Sequence, residues 1–310
     1  MNVLSGLAAV ALVLALSPAP VRADTTPLVI GYTNVSDCVA AFVAKEEGFF
    51  AKRGLDVELR PMQNSAIEAT SIIAGALQAG CNAPPVLLAA VDRGVPLVAI
   101  SGASVSNTAD KATAVAVRAD SGIKSAADFA GKKIGVSGIG SNGYVMFNQY
   151  LIGQHVDFKR VSYFEVPFGT QYDVLQRGTV DGVVSVVPIL TKIVDENVGT
   201  AVEYLEAAMP NGVPLVIYVA ASDWTSKNPA LVAAIRGALQ DATKFALAHQ
   251  DKALQYVAQY TKQPLSIVQV TKFSTLDANL TPKQMQWWID AMKAQGLTQT
   301  VINPSAAIAR

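Results

Sequence analysis

The stretch Gly138-Ile139-Gly140-Ser141-Asn142-Gly143 carries the sharpest chemical signal in the chain. Its glycines let backbone N–H groups approach a ligand oxygen, and a helix starting there adds partial positive charge, so the turn suits an oxyanion. The same string fits the dinucleotide pattern GxGxxG, with Glu165 about 20 residues further on, so taken alone it would also accept NAD. Other candidates are uncharged hydrogen-bonding groups with a few aromatics: Tyr32, Asn34, Asn82, Ser137, Phe168, Ser185 and Pro188. Tyr32 and Phe168 could stack on an organic group while Asn34 and Asn82 fix its polar atoms, or they could be core. Asp37 could hold a ligand amine, or could simply cap a helix start.

Catalytic equipment is sparse. The two histidines, His155 and His249, both fall near expected helix ends, so neither a Ser-His-acid device nor a His-rich metal site is supported. Cys38 lies near the first loop, yet no base is evident beside it. No cofactor, catalytic residue or metal ligand is therefore assigned. The candidate loops contain no Lys, and only Arg60 is near one, so a bound anion would be held by helix starts, hydroxyls and amides.

These groups were selected because of where they stand relative to the elements. Ligands of open α/β sheets bind beyond the carboxyl ends of the strands. β-type runs are read at Leu28 to Tyr32, Asp56 to Arg60, Cys81, Leu97 to Ile100, Thr113 to Arg118, Lys133 to Ser137, Ser162 to Val166, Gly182 to Val186 and Val213 to Ala221. Helical segments alternate with them, which implies parallel sheets covered on both faces. Ser65 and Glu68 have capping-box spacing, opening a helix that Gly80 should stop; Thr281-Pro282-Lys283-Gln284 is a second such signature. The rhythm restarts after Ser101, and no Gly/Ser/Pro-rich linker separates the halves. Short crossings near Ser104 to Lys111 and near Pro210 to Pro214 then form the hinge, which makes the first domain discontinuous.

The chain has 310 residues, 51% of them hydrophobic, which suits packed cores rather than disorder. Lys+Arg and Asp+Glu are each 24, leaving no basic surplus for nucleic-acid phosphates. Leu4 to Leu16 is an apolar run of signal-peptide length, and Val21-Arg22-Ala23 reads as a small-x-small cleavage site. Met1 to Ala23 is thus expected to be a signal peptide, placing the mature protein in the periplasm. Export weighs against a nicotinamide enzyme. A disulfide could persist there, but bridging needs Cα atoms within about 7 Å, and the reading favours Cys38 and Cys81 as two separate half-buried thiols.

Three stretches, AKEEGFFAKRGLDVELRP, KSAADFAGKKIGVSGIGSN and VPFGTQYDVLQRGTVDGVVSVVP, resemble the aliphatic-sulfonate, taurine and nitrate binding proteins of ABC importers and the related thiamine-precursor binders. The resemblance covers essentially the whole mature chain. It implies an α/β, periplasmic-binding-protein type II-like fold, with lobe I at 24–108 plus 214–310 and lobe II at 112–210. It also implies a monomer that captures a small solute in an interlobe cleft and delivers it to a permease and its ATPase. The glycine turn would then meet a sulfonate or carboxylate head. A thiamine-pyrimidine precursor, or catalysis on the same fold, is the alternative. Where many relatives carry an acidic residue after the second helix of the first lobe, this chain reads Gly80-Cys81-Asn82-Ala83-Pro84-Pro85.

Overall fold

The computed structural model describes residues 25–271 and 273–309; the leader assigned to residues 1–23 lies outside them. The chain begins with β1 (Thr26–Tyr32), β2 (Leu55–Pro61), β3 (Ala79–Asn82) and β4 (Leu97–Val105). It then crosses to β5 (Thr113–Val117), β6 (Lys133–Val136), β7 (Ser162–Glu165), β8 (Gly182–Val186) and β9 (Thr200–Tyr204), and returns with β10 (Pro214–Ala221) and β11 (Thr275–Leu276). The first sheet has the order β11-β4-β10-β3-β1-β2 and the second β7-β6-β8-β5-β9. Each strand's composition matches its place. In edge strand β2, Leu55 and Val57 turn inward while Asp56 and Glu58 stay exposed, whereas all of Thr-Ala-Val-Ala-Val in β5 is buried within the second sheet.

The sheets are mixed, which corrects the expectation of parallel ones. β10 runs antiparallel to β3 and β4, and β5 runs antiparallel to β8 and β9. These are the two strands that follow the crossings between sheets, so each enters its sheet against the grain. The crossings lie side by side. Ser106 Oγ donates to Pro210 O at 2.6 Å and accepts from Val213 N at 3.0 Å, while Gly212 N donates to Ser106 O at 2.8 Å.

Packing continues from one sheet to the other. Trp288 is fully buried and donates its indole N–H to Pro214 O, and Gln295 bonds to Asn148 and to Val145 O of the helix Asn142–Gly153. Phe147 of that helix lies in the core against Phe129, with ring centroids 4.8 Å apart.

Three local expectations are overturned near β3. The helix Ser65–Ile73 is capped by Asn64, whose Oδ1 accepts from Ile67 N at 2.9 Å. Glu68 therefore forms no capping box. It turns inward and is fully buried, because Gly31 and Gly80 leave room: a Cβ at Gly80 would stand 2.4 Å from the Glu68 carboxyl carbon. Gly80 itself lies in β3 rather than ending the helix. Cys38 and Cys81 are disulfide-bonded with Cα atoms 5.9 Å apart, so the reading of two separate thiols was wrong. The turn that carries Cys38 folds back over β3, a proximity no spacing rule reveals.

Candidate ligand-binding cleft

A cleft lies between the two sheets at the ends of β1, β3 and β8, where β5 and β10 begin. It contains about 620 Å³ of space unoccupied by atoms, counting the part that opens to solvent. One wall comes from the first sheet's side: Thr33, Val35 and Asp37 after β1, Ser65 at a helix start, Cys81 and Asn82 at the end of β3, and Ala83 just past it. The facing wall has Ser137 after β6, Ser141, Asn142, Gly143 and Met146 at the next helix, Phe168, and Val184 and Val186 of β8. Thr113, Leu215 and Val216, at the starts of β5 and β10, complete it.

Of the ten expected ligand contacts, Asn82, Ser137, Ser141, Asn142 and Phe168 line this cleft. The other five do not, for identifiable reasons. Tyr32 is core: it meets Phe42 and Tyr260 edge-on at 5.0 and 5.7 Å and donates to Tyr260 O. Ser185 is buried between Val184 and Val186, and strand alternation turns it away from the cavity they line. Asn34, in the loop past β1 between the lining residues Thr33 and Val35, has its side-chain amide near Gly169. Pro188 caps the helix Ile189–Asp195. Gly140, with φ +78°, lines a separate apolar groove beside Ala69, Ile73 and Val86.

Chain reversal explains three of the lining residues that were missed. Thr113, Leu215 and Val216 stand at strand beginnings, but because β5 and β10 are antiparallel, those beginnings share an edge with their neighbours' carboxyl ends. The spacing of Ser65 to Glu68 signals a helix start and gives no sign of a cleft contact.

Hydrogen bonding sorts the polar groups. The Asn82 amide is spent on structure: Nδ2 donates to Glu68 Oε2 at 2.7 Å and to Ser65 O at 2.8 Å, and Oδ1 accepts from Ala83 N at 2.9 Å. Ser141 Oγ caps the helix Asn142–Gly153 through Tyr144 N. Asn142 Nδ2 donates to Leu215 O across the cleft, and its buried Oδ1 has no partner. A second crossing bond joins Ser36 Oγ to Val187 O at 3.0 Å.

The glycine turn carries less anion affinity than its sequence suggests. Ile139 N already donates to Glu165 Oε1 at 2.8 Å, so an acid occupies the donor a pyrophosphate would use. The helix Pro84–Asp92 starts with two prolines and lacks two donors there. Among the described residues no Lys, Arg or His lines the cleft, and Arg60 is paired with Glu58 at 2.8 Å on the surface.

Buried acids surround the cavity instead. Burial pushes the Asp37 carboxyl above its usual range, against the lowering effect of hydrogen bonds from Ser104 and Ser274. Burial likewise raises Glu68 to about 8 and Glu206 to about 7. Cys38 is tied up with Cys81, and among the described residues there is neither a free thiol nor a group of acids, histidines and cysteines set to hold a metal.

Comparison with known proteins places this arrangement. A family model described as NMT1/THI5 like matches residues 36–253. The chain belongs to the NMT1/THI5-like family. A protein of Brucella abortus (strain 2308), provisionally named a binding protein, is 25% identical over 257 residues, covering 82% of this chain and 77% of that one. A Haemophilus influenzae protein provisionally named for thiamine biosynthesis is 28% identical over 239 residues, 76% of this chain and 73% of its own.

In fold, the chain is similar to the alkanesulfonate-binding protein SsuA of Xanthomonas axonopodis pv. citri bound to MOPS, with a TM-score of 0.78, 17% identity and coverage of 93% of this chain and 100% of that one. It is also similar to the periplasmic nitrate-binding protein NrtA of Synechocystis PCC 6803, with a TM-score of 0.75, 15% identity and coverage of 91% and 85%. This NMT1/THI5-like protein therefore has the periplasmic-binding-protein fold expected of it.

Proposed function

We propose that the protein is an extracytoplasmic solute-binding protein that takes up a small molecule in the interlobe cleft and delivers it to an ABC importer. The observation that carries this reading is the cleft itself: two sheets joined by paired crossings at Ser106, with hydrogen-bonding side chains and apolar surface on both walls and bonds reaching across from Asn142 and Ser36. Lobe I comprises residues 24–108 and 214–310 and lobe II residues 112–210. Binding energy favours the closed form, which a permease and its ATPase recognise. Ser137, Ser141, Asn142, Phe168 and Asn82 form the contact set, the last by shaping the wall. The relatives' names support transport of a sulfonate or nitrate, and the Haemophilus influenzae relative supports a thiamine precursor.

Catalysis fits poorly, because both cysteines at the site are joined in a disulfide and neither histidine lines the cleft. Native mass spectrometry of the protein purified from its source should reveal a carried solute, and small-angle scattering should show compaction when that solute is returned to stripped protein. Conversion of the solute to a product, or an unchanged radius at saturation, would overturn the reading.

A further inference from the structure

The geometry points to a solute with a cationic nitrogen head, an ammonium or amidinium on a compact apolar body, held between Asp37 of one wall and Asn142 of the other. This inference rests on the solute-binding reading above and names the charge of what that site takes.

Among the described residues, Asp37 is the one ionisable side chain lining the cleft, and it is 6% exposed. Ser104 Oγ donates to its Oδ1 at 2.6 Å, and among the described residues no cation pairs with it. Glu206 is fully buried beside Thr113 of the wall, and neither of its oxygens receives a well-formed hydrogen bond. Glu68, behind Asn82, also keeps Oε1 unpartnered. None of the three acids enters an ion pair among the described residues.

The unmet groups share one polarity. On the facing wall, Asn142 Oδ1 is buried without a donor, and its orientation is fixed because the amide nitrogen must face the Leu215 carbonyl. Of the buried side-chain oxygens that lack a partner among the described residues, Asn142 Oδ1 is the one on a residue lining the cleft. A ligand that brings N–H groups would satisfy it.

An oxyanion would place further acceptors beside Asp37 and Asn142 Oδ1, and among the described residues no Lys or Arg lines the cleft to offset its desolvation. The features that should attract an anion are blunted, as Glu165 occupies the Ile139 N–H and prolines remove donors at the helix Pro84–Asp92. Val35, Met146, Phe168 and Leu215 supply apolar contact for the body.

Titration calorimetry with benzylamine and benzamidine, against benzenesulfonate, benzoate and nitrate, tests the assignment. At least one cation should bind the wild type and the anions should not. Asp37→Asn, near-isosteric, should weaken the cation at least tenfold with an unchanged circular dichroism spectrum, and should improve any residual response to benzenesulfonate, which a merely structural role for Asp37 would not do. Binding of an anion but neither cation, silence toward both cations at millimolar concentration, or undiminished cation binding by Asp37→Asn would overturn the charge assignment while leaving a solute-binding protein. Turnover of a bound probe would instead sink the solute-binding reading.

Discussion

The side-chain amide of Asn142, at the first turn of its helix, donates to the backbone carbonyl of Leu215 on the strand that re-enters the other lobe, so one hydrogen bond spans the cleft from a residue that also lines it. Asn142→Ala removes that bond, and with it about 1 kcal/mol of closure. Affinity for the native solute should fall roughly fivefold. Scattering should show a larger radius in the bound sample than wild type, with little change in melting temperature.

Glu68 makes stability depend on pH. Its carboxyl is raised by burial from 4.5 to about 8, so the folded state holds a proton that the unfolded state releases. The stabilisation is complete below pH 4.5 and is lost as pH rises through about 8. Within that window the loss approaches about 1.4 kcal/mol per pH unit for one proton. Urea titrations from pH 5 to 9 should show a decline that Glu68→Gln flattens, leaving the residual slope to Glu206 and Asp37, which burial raises as well.

Gly80 is required by the same carboxyl. A Cβ there would stand 2.4 Å from the Glu68 side chain, so Gly80→Ala should cost about 1–3 kcal/mol in thermal or urea unfolding. Combining it with Glu68→Ala, which vacates the space, should cost less than the two single substitutions added together.

The disulfide joins the turn carrying Asp37 to the strand carrying Asn82. Its partners are 43 residues apart, and chain-entropy arguments assign such a closure about 4 kcal/mol. The double Cys38→Ala, Cys81→Ala variant should unfold at distinctly lower urea concentration. It should also bind solute more weakly, because Cys81 lines the cleft and Cys38 adjoins Asp37.

How far the structure was legible depended on whether local pattern decided it. β1, β5 and β8 are runs of apolar residues bounded by turns, and their burial made them readable. β9, Thr-Ala-Val-Glu-Tyr at a sheet edge and half-exposed, gave no such contrast, and the two-residue β11 exists only through its pairing with β4. The site divided in the same way. The start of the helix at Asn142 was visible because glycines and a Ser cap mark it. Thr113 and Leu215 were not, since strand direction within a sheet is a long-range property. Glu68 has the spacing of a cap residue, and only the vacancy above Gly31 and Gly80, on two other strands, explains why it turned inward.

β10 is inserted between β3 and β4, strands that precede it by more than a hundred residues. The smaller sheet, by contrast, is encoded without interruption from Thr113 to Tyr204. A chain emerging from its amino terminus can thus complete the middle unit first, while the outer sheet waits with an open slot until Pro214–Ala221 arrives. Synthesis stopped before that point would leave β3 and β4 as bare edges, the state most exposed to proteases and to wrong pairing.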